Sequence, residues 1–344
     1  MLPDVSVYVN GIPLPPGAAS DLRSVTVQED LRALSMFTLE LRNWDEHMLT
    51  VSWSDSEQFA VGSDVAIWLG YVGDLHQVML GEITSLEPVF TSGQESVLMV
   101  RGYDRRHRLA RGRKTRTFVQ MKDSAIATQI AREAGLRMEA DDSKTTLSYV
   151  IQSNQSDLEF LRRRASLIGY ELFARDKVLY FRSPRTSDSP DDKLTLGDDI
   201  TEFNPRLSTQ DQPTDLIVRA WDVKEKKAIV ATARKLPYSG GRTPGPDTAR
   251  RAFGQAAVTL TGLPTRNLGE ASAMADGQFG AEALTYVEGN VVAFGRPLLR
   301  AGTVVSIAGA GQRFSGPYYV TSVTHSLTQE QGYQTSFTVQ RNAA

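Results

Sequence analysis

The run GRPLLRAGTVVSIAGAGQRFSGPYYVTSVTHSLTQEQGYQTSFTVQR, residues 295–341, decides the fold class. Its apolar residues fall in short β-type groups: Val304 and Ile307, then Tyr319, then Phe337 and Val339. Period-two spacing places Tyr318, Val320 and Ser322 on one strand face and Tyr319, Thr321 and Val323 on the other. Gly302 and Gly316 fit turns that need positive φ or close backbone approach. Gly332-Tyr333, following Thr328-Gln329-Glu330-Gln331, reads as a hairpin return. In such a strand, His325 takes a packed, hydrogen-bonded structural role.

Upstream, Leu216, Val218 and Ala220 begin the same pattern, so residues 201–344 read as one β region. A helix interrupts it at about 268–286, with Ala271, Met274, Ala281 and Leu284 along one side. Gly277 and Gly280 each cost about 1 kcal/mol against Ala in an exposed helix, so packing must hold this one. PYSGGRTPGPDTA, residues 237–249, reads as a long mobile loop.

The first hundred residues alternate in the same way. Val5, Val7 and Val9 run into the turn Asn10-Gly11. Phe37, Leu39 and Leu41 repeat the pattern, as do Val65, Ile67 and Leu69, and more loosely Val97, Leu98 and Val100. Strands of this length close into a barrel or pack as a sandwich, because an open sheet leaves unpaired edges. Residues 1–103 are therefore expected to form a β domain, a barrel or a sandwich, with a second β region at 201–344.

Between them, 104–200 reads as an α+β insertion. Residues 123–134 carry Ile126, Ile130 and Ala134 at helical spacing, with Asp123 as N-cap and Gly135 as stop. Ser156-Asp157-Leu158-Glu159 is a capping box that opens a helix with Leu158, Leu161, Ala165 and Ile168 as its stripe. Gly169 ends it, and YELFARDKVLYFR (170–182) is a hairpin around Arg175-Asp176. RTSDSPDDK, 185–193, has linker composition.

The composition limits the chemistry. There are 344 residues, 38 Lys+Arg against 40 Asp+Glu, four His and no Cys. Zero cysteine removes disulfide scaffolds, thiolate nucleophiles and Cys-ligated zinc together. His47, His76, His107 and His325 show no metal-ligand spacing. There is no phosphate loop and no nucleophile elbow. The acidic pairs Asp141-Asp142, Asp191-Asp192 and Asp198-Asp199 lie in loop-like sequence. No cofactor and no enzymatic activity are expected. No apolar run reaches the roughly 18–20 residues that cross a bilayer, and the N-terminus has no signal-peptide pattern, so neither membrane anchoring nor signal-directed export is expected.

One anomaly is basic. RGYDRRHRLARGRKTR, 101–116, holds seven Arg, one Lys and one His against a single Asp. Arg105, Arg106, Arg108, Arg111, Arg113, Lys114 and Arg116 are the candidate docking residues, facing an acidic protein or sister subunits. Nucleic acid is a weaker reading, because only Tyr103 and Phe118 stand near the run for stacking.

Two segments carry a resemblance. Gly295, Pro297, Gly302, Val305, Phe314, Gly316, Tyr318, Tyr319, Val320, His325, Gly332, Tyr333, Thr335 and Phe337 resemble the closing pattern of the phage late control D family. The same pattern ends the hub part of VgrG spike proteins of contractile injection systems. RGYDRRHRLARGRKTRTF (101–118) is similar to that family's stretch leaving the first barrel, and DLEFLRRRASLIGYEL (157–172) to the helix that follows.

The resemblance implies a baseplate hub, a homotrimer in which each subunit supplies two related antiparallel β-barrels, here residues 1–103 and 201–344. Six similar domains would adapt a hexameric tail tube to a trimeric spike. It implies a separate spike protein, a tail tube or tube-initiator protein and other baseplate components as partners. It also implies assembly in the cytoplasm and then residence in a phage tail or extracellular injection particle. A chain ending at residue 344 has no room for a needle. The competing readings are a cell-wall glycosidase using loop carboxylates and a nucleic-acid-binding protein using 101–116.

Overall fold

A computed structural model describes residues 2–45, 48–91, 96–223, 225–235, 241 and 243–344. The period-two pattern of the first hundred residues folds as read. Phe37, Leu39 and Leu41 on Met36–Arg42, and Val65, Ile67 and Leu69 on Asp64–Tyr71, are fully buried on one sheet face. The antiparallel order runs Pro3–Val9, Asp64–Tyr71, Asp74–Val89, Val97–Tyr103, Met36–Arg42, Leu22–Asp30. These strands enclose one core, to which Val27, Phe59, Ile83 and Val100 also contribute.

The sheet does not stop there. Ser322–Thr328 of the strand Gly316–Thr328 pairs with Leu22–Asp30, His325 lying opposite Val27. The order continues through Gly332–Arg341 and Val287–Phe294 to Ile200–Leu207. The first residues of Gly316–Thr328 instead pair with Val304–Ala308, and Asp192–Thr195 adds to that strand in parallel. The result is one 13-stranded sheet with two cores. This corrects the expectation of two separate closed barrels. Gly316–Thr328 is 13 residues long, enough to serve the C-terminal half with one end and the N-terminal half with the other. No ladder among the described residues closes either half.

Both tyrosines of that strand are buried. Tyr318 meets the Phe203 ring edge-on, and the Tyr319 hydroxyl reaches Glu171 of the middle unit, which covers the strand's second face. The expected linker at 185–193 already contributes to the sheet, since Asp192 begins the strand Asp192–Thr195.

In the middle unit, helices Asp123–Glu133 and Asp157–Leu167 pack on the pair Lys114–Lys122/Thr146–Gln155 and on a three-stranded sheet. That sheet comprises Glu171–Arg175, Val178–Arg182 and Arg137–Ala140. The Ser156–Glu159 capping box is present, and Asp176 takes positive φ at the hairpin tip. Asp123 is not the N-cap. Lys122 holds that position, and the Asp123 carboxylate is turned inward to the Arg164 guanidinium at 2.6 and 2.9 Å.

Leu216 and Val218 do not join the large sheet. Asp215–Asp222, Lys227–Ala233 and Ala257–Leu260 make a separate sheet against the helix Leu268–Leu284. Of the expected loop at 237–249, residues 237–240 and 242 lie outside the described residues. Gly245–Phe253 is a helix with Pro246 in its first turn, where a missing N–H is harmless.

Gly277 shows why a helix can keep such a residue. A Cβ there would fall inside contact distance of the Ile168–Gly169 backbone, so the helix meets that backbone with no room for a side chain at 277. Gly277→Ala should therefore lower stability by about 1–3 kcal/mol through overpacking, where propensity alone would raise it by about 1 kcal/mol. A urea titration of the variant reads the sign.

Candidate assembly surfaces

The run 101–116 changes structure three times. Arg101 belongs to Val97–Tyr103, and Asp104 then caps the short 3-10 turn Arg105–Ala110 by accepting the Arg106 N–H at 2.8 Å. From Lys114 the chain is a strand again. The turn rolls two guanidinium groups inward. Arg105 is 6% exposed and donates to Glu82 at 2.5 Å and also to Asp64.

Arg106 is 0% exposed. It forks onto Asp104 and donates to the Leu172 and Asp30 carbonyls and to Ser35 Oγ, at 2.7–3.2 Å. Neither residue belongs to a docking surface, which corrects the reading of these two. A buried arginine must find acceptors for its donors, and the Arg106 guanidinium and the terminal nitrogens of Arg105 find them within the fold.

The remaining candidates lie farther out. Arg108 is half-exposed and donates to Glu82, which also takes a 2.6 Å bond from His107. Burial pushes the Glu82 carboxyl up, but the bonds from Arg108 and His107 and the charge of Arg105 outweigh it and hold it below its ordinary range. Arg113 meets the Asn154 carbonyl and Glu159, and Lys114 meets Asp157 at 2.7 Å. Arg116 bonds Gln152, Asp157 and Glu133, its guanidinium 5.2 Å over the Phe118 ring. Arg111 is exposed and forms no ion pair among the described residues. Most of the apparent basicity is thus neutralised by carboxylates that are distant in sequence.

The other singled-out groups also separate. His76 lies beside Asp74, His107 beside Glu82 and His325 in the sheet, while His47 lies outside the described residues. Asp141 holds Ser183 and Arg185, Asp142 holds Lys122, and Asp199 caps Thr195 and pairs with Arg296. These carboxylates brace turns.

A second charged cluster, without a local sequence signal, lies where the three parts of the chain meet. Glu29 of the N-terminal half accepts Arg300 through both oxygens at 2.8–3.2 Å and the Ala301 N–H at 2.9 Å. Arg175 of the middle unit stands 3.7 Å from the same carboxylate and donates to the Ala301 carbonyl. Burial pushes the Glu29 carboxyl up, while Arg300 and Arg175 bring it below its usual value.

Beside this cluster, His325 bonds the Tyr333 hydroxyl at 2.9 Å and the Leu299 carbonyl at 3.2 Å. Burial pushes its pKa down to about 4. Glu171 accepts the Tyr319 hydroxyl at 2.7 Å, and Arg182 donates to the Gly302 carbonyl at 2.7 Å. The parts are therefore joined by hydrogen-bonded charge as well as by the continuous sheet. Among the described residues no helix is long and apolar enough to cross a membrane.

Residues 2–329 match the family model described as the Alg8 N-terminal domain. The chain belongs to that family. No curated protein matches the sequence. Among solved structures, this chain is similar to the 43 kDa tail protein of prophage MuSo2 from Shewanella oneidensis. The TM-score is 0.74 at 13% identity, covering 98% of each chain. The tail protein from Neisseria meningitidis MC58 gives a TM-score of 0.71 at 14% identity, over 99% of this chain and 96% of that one. A component of the E. coli type VI secretion system, described as structurally similar to T4 bacteriophage tail proteins, gives 0.64 at 16% identity, over 98% and 77%. This chain therefore shares the fold of these tail proteins.

Proposed function

We propose that this protein is a structural hub in the baseplate of a phage tail or a related contractile injection particle. In this reading it acts by bearing load and turns over no substrate. The observation that carries the proposal is the end-to-end likeness to tail proteins, covering nearly all of both chains. The late control D pattern at 295–341 agrees with it. So does the architecture, since a 13-stranded sheet tied across its seam by Glu29 and Arg300 suits a part that transmits force.

In this proposal the working unit is a homotrimer. Residues 1–103 and 201–344 are its two tube-facing domains and 104–200 is the insertion. A tail tube or tube-initiator protein binds one side and a separate spike protein the other. The subunit assembles in the cytoplasm and ends in the particle. Arg108, Arg111, Arg113, Lys114 and Arg116 remain candidate docking residues on the outside of the insertion.

The test is mass in solution by light scattering, together with location of the subunit by electron microscopy of assembled particles. A trimer on the particle axis is expected. A stable monomer that hydrolyses peptidoglycan sinks the reading.

A further inference from the structure

The small C-terminal sheet carries a cleft that bearing load does not require. Asp215 opens the strand Asp215–Asp222, and Arg234 follows the last residue of its hairpin partner Lys227–Ala233, so the two stand together at one end of the pair. The helix Gly245–Phe253 passes the same end, where Arg250 donates to the Thr214 carbonyl at 2.6 Å. Between these elements lies a cleft of about 470 Å³, within the range of small-ligand sites. Phe279 and Ala283 of the helix Leu268–Leu284 line its apolar side, with Pro244 and Pro246 beside them.

Its charges do not balance. The Asp215 carboxylate is buried and its oxygens are taken: Arg234 Nε donates to one at 2.5 Å, and Thr214 Oγ1 and Gln255 Nε2 donate to the other at 3.0 Å. Burial pushes this carboxyl up, but those three donors bring it below its ordinary value, so it is ionised. Asp247 is engaged by Arg250 at 3.2 Å. Two carboxylates thus face three cations, Arg234, Lys235 and Arg250. The surplus can be placed. Arg234 commits only Nε, and its side chain is 65% exposed with both terminal nitrogens lacking an acceptor among the described residues. Lys235 is exposed and forms no ion pair among those residues. The paired N–H donors of a guanidinium edge match the two oxygens of a carboxylate.

We propose that this cleft binds the C-terminal residue of a partner polypeptide, its free carboxylate on Arg234 and Lys235 and its apolar side chain against Phe279, Ala283 and Pro246. Charge and size select this occupant. One surplus positive charge suits one carboxylate, whereas a phosphate group would bring further negative charge against Asp215 and Asp247. A cleft of this volume admits a chain end and excludes a folded domain. A partner's chain end is the source that suits a protein whose work is assembly, so the occupant rests on the hub reading above while the carboxylate chemistry does not.

The probe is an N-acetylated Ser-Ala-Leu peptide with a free carboxylate, titrated calorimetrically into the full-length protein. The same peptide as its C-terminal amide and the free acid 4-methylpentanoate are titrated beside it. The acid peptide should bind, and the amide should bind about tenfold more weakly or worse, because it forfeits the charge-assisted bonds. Arg234→Gln and Lys235→Gln should each weaken the acid peptide, the first by about tenfold. Arg219→Gln, at an exposed position farther along Asp215–Asp222, should leave it unchanged. Arg234 also holds Asp215, so if its variant fails to fold, Lys235→Gln and the acid–amide comparison in the unmodified protein decide. Equal binding of acid and amide, or binding of neither, overturns the inference. Tighter binding of 4-methylpentanoate than of the peptide overturns the polypeptide occupant and makes the cleft a small-acid site. The hub reading falls separately, by the light scattering and microscopy above, and a peptide that binds to a protein absent from the particle axis would keep the site while removing the hub.

Discussion

Replacing Arg106 by alanine should cost about 3–5 kcal/mol of folding stability, the range for breaking a buried ion pair from one side. The Arg106 guanidinium is fully enclosed and bridges two parts of the molecule. The Asp30–Ser35 loop belongs to the N-terminal half, and Asp104 at the start of the 3-10 turn and the Leu172 carbonyl to the middle unit. Truncation leaves the Asp104 carboxylate buried without its cation and removes a donor from two carbonyls. Arg106→Lys should recover only part of the loss, since one ammonium cannot reproduce the planar fork. Arg111→Ala and Arg113→Ala, at exposed positions of the same run, should stay within about 1 kcal/mol. Urea midpoints of the four variants decide the matter. Equal small losses at all positions would mean that the run is a solvated surface after all.

That contrast marks where sequence reading succeeds. Period-two alternation located Phe37, Leu39 and Leu41 in a core because burial on one sheet face is a local property. The Ser156–Glu159 capping box and the turn at Asp176 are likewise local. The basic run misled because charge is visible in sequence while its partner is not. Glu82 lies 23 residues from Arg105 and Asp157 lies 43 from Lys114. The seam cluster is less visible still, since Glu29 and Arg300 are 271 residues apart. The single sheet went unread for the same reason. Nothing within 316–328 reveals that its two ends serve different partners.

Two buried groups at the seam should give this protein opposing pH dependences that cancel in the unmodified chain. Burial pushes the Glu171 carboxyl from 4.5 up to about 7, the Tyr319 hydroxyl and the Arg182 charge offsetting only part of it. Its folded form holds a proton that the unfolded chain releases. Its stabilising contribution is therefore complete below about pH 4.5 and lost as pH rises through about 7. His325 has the opposite sign. Burial beside Arg300 brings it from 6.5 down to about 4, so the unfolded chain binds the proton first. Its contribution is complete above about pH 6.5 and lost as pH falls through about 4. Each shift corresponds to about 3 kcal/mol. Between about pH 4.5 and 6.5 the two slopes oppose, and these groups together should leave stability nearly flat. Glu171→Gln should expose the histidine limb, with stability falling as the solution is acidified. His325→Gln should expose the carboxyl limb, with stability falling as pH rises toward 7. Urea midpoints of the three proteins at half-unit steps from pH 4 to 8 separate the limbs. Parallel curves for all three would show that neither group changes its proton on folding.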